Sequence, residues 1–252
     1  KLSLSAGLSL VSANATVEIP IGKKANLLIA GRRSYTDILK SGLYNSIFDL
    51  YNDTDSTNGN NLFNFNGFQQ NETQPSFYFY DLNTKFSYKP SDKDIISVSV
   101  YNGKDNLDSS RENQNTFGSG TEERTINSDI EDLLNWGNWG SSVRWARQWS
   151  DKLYTNVVGA YSNYFSQRKR INDISIQLAD STNTNKSGLV EDNNLKDFTL
   201  RIHNEYKINS KHSLEFGGQL TMNEVDYNYS LNDSINVIDQ KDKGLLKTAY
   251  LQ

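Results

Sequence analysis

The sequence has no cysteine, only two histidines, and no basic excess, with 26 Lys and Arg against 30 Asp and Glu for a net charge of -4. The missing cysteines exclude a disulfide framework, a thiolate metal site and a thiol nucleophile. The charge balance leaves no footprint for nucleic-acid binding. His203 and His212 flank a turn with no acidic partner pattern, so they read as ordinary turn or strand residues rather than catalytic ones. Ser-His-Asp order, a metal-ligand cluster and a phosphate-cradling glycine loop are all absent, and Gly118-Ser119-Gly120 stands alone as a flexible spot. Asp53, Asp55, Asn58 and Gly59 resemble a calcium loop, but Asn58 occupies the sixth position, where the loop needs Gly, and Asn64 the twelfth, where it needs Glu. Covalent chemistry, bound cofactors and a built metal site are therefore not expected. There is also no apolar run of roughly 18 residues, which excludes a transmembrane helix and has no bearing on a β-barrel.

What the chain does have is aromatic residues and alternation. Hydrophobic residues make up only 36% and mean hydropathy is -0.68, yet aromatics reach 12%. Disordered chains are poor in aromatics and β-branched residues, so low hydropathy here points to strands with one apolar face. Such a mixture suits a transmembrane β-barrel and equally an extracellular β-protein.

The alternation is plain along several stretches. Leu2, Leu4, Ala6, Leu8 and Leu10 alternate with small polar residues, and after Ser12 the apolar parity shifts to Ala15, Val17, Ile19 and Ile21, which reads as a bulge or short break. Ala25–Arg33 is too uniformly apolar for its faces to be assigned. Tyr78, Tyr80, Leu82, Phe86 and Tyr88 oppose Asp81, Asn83, Lys85 and Ser87; Ile96, Val98 and Val100 follow. Trp139, Val143, Trp145 and Trp149 share one parity, against Arg144 and Gln148 on the other. Phe198, Leu200, Ile202, Tyr206 and Ile208 oppose Asp197, Arg201, His203, Glu205 and Lys207. A period of two places each set on its own face of a strand. Residues 34–51 instead follow a helical spacing, with Ser34 and Asp37 resembling a capping box. Residues 52–75, 105–134, 168–194 and 230–242 are polar and read as loops, with a helical turn possible at 128–134.

About nine strands result, and their connections are unequal. Gly22-Lys23-Lys24, Ser91-Asp92-Lys93, Ser150-Asp151-Lys152 and Asn209-Ser210-Lys211 are tight turns, each ending in Lys, while the intervening connections are long. Short turns at one end and long loops at the other are the asymmetry of outer-membrane barrels. Runs of about 9–11 residues also match a tilted membrane-crossing strand better than a globular one. The expected fold is all-β, an antiparallel transmembrane β-barrel present in part, with residues 1–252 belonging to one barrel domain.

On those residues rests a resemblance. The segment IGKKANLLIAGRRSYTDIL (21–39) resembles an early barrel hairpin of TonB-dependent outer-membrane transporters of the Bacteroidetes type, and WGNWGSSVRWARQWSDKLYTNVVGAYSNY (136–164) resembles a later hairpin of the same family. The resemblance implies a plugged barrel of about 22 strands, of which this chain holds part of the wall without the plug domain or the other strands. A start at Lys-Leu-Ser, without Met or signal peptide, fits a mature product or an excised fragment. It further implies location in the cell outer membrane and uptake of a small nutrient (iron chelate, vitamin, glycan or peptide) powered by the inner-membrane TonB system. The expected partners are the lipid bilayer, the plug, the TonB system and a surface lipoprotein.

Candidate contacts follow from the faces. Asp81, Lys85, Arg201, His203 and Glu205 would point into a wet lumen and meet substrate. Arg32 and Arg33 are adjacent, so one points to the lumen and the other to the rim; the pair either supplies snorkelling or rim charge or, as the resemblance implies, the lumen-facing one meets acidic groups of the plug. Tyr44, Phe63, Phe65 and Phe68 in the first long connection either pack that connection on itself or present a surface for a sugar or lipoprotein. Two other readings stay open on the residues alone. One is a secreted or surface β-sandwich, an adhesin-like binding module, and the other is a small complete barrel of structural or porin type.

Overall fold

Our computed structural model describes residues 1–39, 42, 44, 46, 75–118, 123–178, 180–232 and 235–252. They form eleven strands: β1 (Ser3–Leu8), β2 (Ser12–Ile21), β3 (Ala25–Ser34), β4 (Ser76–Ser91), β5 (Asp94–Asp108), β6 (Arg111–Phe117), β7 (Arg124–Gln148), β8 (Leu153–Gln177), β9 (Thr182–Lys207), β10 (Ser213–Leu231) and β11 (Ile235–Leu251). All pair antiparallel in a single sheet, each with its sequence neighbour, except that β5 and β6 lie end to end along β7. β1 and β11 are its two edges. The all-β antiparallel class expected from alternation is what forms.

The register carries the alternation across the sheet. Tyr88, Ile96, Trp145, Val157 and Ile202 stand in one row through five successive strands, and Phe86, Val98, Val143, Gly159, Leu200 and Leu220 in the row beside it. This apolar face has no second layer over it among the described residues, where Ala146 and Ile171 are the buried hydrophobics. Val143 remains 53% exposed and Met222 50%, so hydrophobic burial within this chain is not what holds the sheet. Lys247 breaks the face on edge strand β11, opposite Leu220. The opposite face carries Lys85, Ser99 and Ser142 in one row and Ser87, Ser97, Arg144 and Arg201 in the next. A sandwich would need a second sheet against the apolar face, and the described residues contain none.

The register also resolves Ala25–Arg33. Leu27 and Ile29 lie opposite Phe86 and Thr84 on the apolar face, whereas Leu28 and Arg32 lie opposite Lys85 and Asp81 on the polar one. At the turn end, Gly22 takes a left-handed conformation (φ 64°) that side-chain-bearing residues rarely adopt, allowing β2 to reverse into β3. The parity shift after Ser12 is a complete reversal between β1 and β2 rather than a bulge, with the Ser9 N–H donating to Ser12 O at 2.9 Å.

The largest departure lies away from the short turns. Residues read as loops at 105–134, 168–194 and 230–242 belong mainly to β5 through β11, giving eleven strands rather than about nine. β7, β8 and β9 have 25, 25 and 26 residues. At about 3.3 Å per residue the longest extends roughly 85 Å, well beyond an apolar layer about 30 Å thick. The alternation is broken here because polar side chains stand on both faces, as Gln167 with Asp192 on one and Arg168 with Glu191 on the other, while the backbone ladder that makes the strand is indifferent to them. Glu131 pairs with Lys169 at 2.9 Å, and Glu224 with Lys196 at 3.1 Å and Lys243 at 3.0 Å. The helical turn read at 128–134 is strand. The helix read over 34–51 lies largely outside the described residues, although Gly42, Tyr44 and Ser46 are helical. Ser34 ends β3 instead of capping that helix, and its hydroxyl accepts the Phe79 N–H at 2.8 Å.

Candidate functional site

The polar face carries two groups that include the charged side chains expected to line a lumen. The first spans β3 to β5. Arg32 Nε donates to Asp81 Oδ2 at 2.8 Å, and the Tyr101 hydroxyl donates to Asp81 Oδ1 at 2.9 Å. The guanidinium also lies 4.8 Å from the centroid of the Phe79 ring. Gly103, opposite Asp81 in the register, makes the assembly possible: a Cβ there would lie 3.0 Å from Asp81 Oδ1 and press on the Tyr101 phenol. Lys85 stands exposed beside this group and helps line an open depression with Leu28, Asn83, Ser99, Tyr101 and Ser142.

The second group sits on β9. His203 stacks on Tyr250 at 6.1 Å between centroids, with Nδ1 2.5 Å from the phenol oxygen. The two rings meet across β10 because Gly217 lies between them in the register and has no side chain to intervene. Arg201 and Glu205 lie two residues either side, opposite Gln219 and Glu215. Asp81 on β4 and His203 on β9 are four strand positions apart, roughly 19 Å across the sheet at about 4.8 Å per strand, and the Asp81 row meets β9 at Leu195, so they are displaced along the strands as well. All five residues expected to point into a lumen thus share one face, but they do not converge on one point. Arg144 lies between the groups, donating through Nε to Asn156 Oδ1 at 2.7 Å and through a terminal nitrogen to the Tyr154 hydroxyl at 3.0 Å.

Arg32 and Arg33 separate as adjacent strand residues must. Arg33 has the parity of the apolar face, at the strand end, and holds Asp37 at 2.7 Å while lying 5.3 Å from the Tyr78 ring centroid. Its hydrogen bond keeps the Asp37 carboxyl below the usual carboxylate range. Both arginines therefore have carboxylate partners within the chain. The Tyr44 hydroxyl donates to Pro75 O, which ties that residue back to the start of β4. Phe63, Phe65 and Phe68 lie outside the described residues. Tyr101 was missed by sequence reasoning, since its partner is set by register and no local motif announces it.

The apolar face ends near the tight turns in a polar and aromatic belt. Trp145 Nε1 donates to Asp94 Oδ1 at 3.1 Å, Arg147 pairs with the same carboxylate at 3.1 Å, and the Arg147 guanidinium lies 4.5 Å from the Trp149 ring centroid. Trp149 Nε1 donates to Thr155 Oγ1 at 3.0 Å. Indoles with bound N–H groups beside an ion pair are what a boundary between apolar and aqueous surroundings favours. No group of three or more His, Cys, Asp or Glu capable of holding a metal ion occurs among the described residues.

No family model and no curated relative matches this sequence. Among solved structures, the chain is similar to the ferric yersiniabactin uptake receptor FyuA from Yersinia pestis, with 8% identity over 99% of this chain and 37% of that one, at a TM-score of 0.43. It is also similar to BauA, the ferric preacinetobactin receptor from Acinetobacter baumannii, with 8% identity over 98% of this chain and 39% of that one, at a TM-score of 0.47. The chain spans less than two fifths of the length of either receptor.

Proposed function

We propose that residues 1–252 form part of the wall of a plugged outer-membrane barrel that imports a small nutrient, an iron chelate, vitamin, glycan or peptide, with energy from the inner-membrane TonB system. The observation that carries this reading is a single-layer sheet whose apolar face, interrupted at Lys247 on edge strand β11, has no second layer over it among the described residues. In lipid such a face needs no second layer, and a strand crosses safely only when its backbone groups are paired with neighbours. The free edges of β1 and β11 then call for further strands to complete the closure. The tight Lys turns mark the periplasmic end, and the long hairpins reach outward from the cell.

On this reading Asp81, Lys85, Arg201, His203 and Glu205 line the lumen, and Arg32 with Asp81 and Tyr101 forms a polar clasp that a plug or a passing ligand meets. The chain supplies binding and passage, with no covalent step. Fractionating cells that express the parent gene tests the location: recovery with outer membranes, released only by detergent, is expected. Recovery as a soluble monomer would sink the proposal. Loss of nutrient-limited growth on deleting the gene, reproduced by disabling the TonB system, tests the transport.

A further inference from the structure

The recurring lysines of the tight turns remain unexplained by a transport role. Four turns, at 22–24, 91–93, 149–152 and 208–212, all lie at one end of the sheet because the strands between them run up and down in sequence. They bring Lys23, Lys24, Lys93, Lys152 and Lys211 to that end, all exposed. Lys89, Arg147 and Lys207 stand at the adjoining strand ends. Against these eight cations are Asp92, Asp94 and Asp151, an excess of five positive charges at one rim of a chain whose net charge is -4. Only Arg147 spends its charge locally, on Asp94; none of the seven lysines is in an ion pair among the described residues. The lysines border the Trp145, Arg147 and Trp149 belt where the apolar face stops.

We infer that this rim is a docking surface for the anionic headgroups of phospholipids in the adjoining membrane leaflet, resting on the membrane-wall reading above. Charge complementarity and continuity with the apolar face select this occupant. Long lysine stems can lie along the apolar boundary while their ammonium groups reach phosphate. Such contacts are cumulative and weaken with salt.

The test uses the full-length protein in vesicles of phosphatidylcholine mixed with brominated phosphatidylcholine or brominated phosphatidylglycerol. Tryptophan quenching lost on replacing Trp145 and Trp149 with Phe isolates the turn end. Phosphatidylglycerol is expected to bind there about fivefold or more tightly than phosphatidylcholine, with the ratio shrinking as salt rises. Changing K23Q, K24Q, K93Q, K152Q and K211Q together should bring the ratio toward unity, while Lys→Arg at the same five positions should keep it. Equal quenching by the two lipids, or a preference that survives both salt and the Gln set, overturns the inference and leaves the wall reading standing. Absence of quenching by brominated phosphatidylcholine instead removes the wall reading and this inference together. If the Gln variant does not fold, the salt series on the unmodified protein and the Arg variant still decide the matter.

Discussion

The half of the sheet nearest the tight turns and the half beyond it share one backbone ladder but differ in what their side chains meet. In the first half Leu200 lies in a row with Val143 and Leu220 on the apolar face, and Arg201 faces the other way. In the second half, Asp192 on the same parity as Leu200 sits between Gln167 and Asn228. Nothing in the hydrogen-bond pattern marks the change. The contrast teaches that the ladder makes the strand, whereas the alternation records only which stretch has an apolar neighbour. A polar hairpin paired to an established one continues because each added residue satisfies its backbone groups against a strand already in place.

Substitutions that treat the halves differently should expose this division. The largest effect is expected from Leu200→Arg, which places a cation in the apolar band and should cost about 2–4 kcal/mol near a bilayer midplane. Asp192→Arg, eight residues away on the same face, should change stability by under about 0.5 kcal/mol. Urea unfolding in vesicles compares the two, and equal costs would remove the distinction between the halves. Next, Gly188→Val probes the distal ladder, because a Cβ at Gly188 would lie 2.7 Å from Ile171 Cα and also press on the Arg170 carbonyl. A loss of about 1–3 kcal/mol is expected, seen as faster amide exchange around 170–172 and 187–189 with the turn-proximal strands unchanged.

Smaller effects belong to the charged groups. Arg32→Gln should cost about 0.2–1 kcal/mol, since the guanidinium is largely exposed, and should free the Tyr101 and Asp81 pair to move, read as broadening of a fluorine label on that tyrosine. The smallest concerns Asp37. Its folded-state pKa is depressed by the Arg33 hydrogen bond, so its contribution is present above the ordinary carboxylate pKa and disappears as pH falls through the lower, folded one. The protection of the Ile38 amide, its exchange rate taken relative to the intrinsic rate at the same pH, should therefore fall on acidification through that window, and Arg33→Gln should move the onset to higher pH.

Several features were legible in the chain before any coordinates. Alternation in Tyr78–Tyr88, Trp139–Trp149 and Phe198–Ile208 set strands and faces correctly, because a period of two needs only local geometry. The tight turns were equally visible, since Gly, Asn, Ser and Asp supply turn conformations from their own chemistry. By contrast, 168–177 alternates only over Asp173–Gln177 and 182–194 shows no sustained alternation, and their pairing into long hairpins depended on neighbours far along the chain. The grouping of Arg32, Asp81 and Tyr101, 69 residues from first to last, came from register across three strands and a missing side chain at Gly103. Likewise, His203 and Tyr250 met only because Gly217 stands between them. The sequence by itself determined the alternating strand segments beside the tight turns, where those turns fall, and which side of each alternating run is apolar, all short-range consequences of side-chain period and turn chemistry. The tertiary structure alone decided how far the strands run and which side chains meet across them, because both depend on register between strands far apart in the chain.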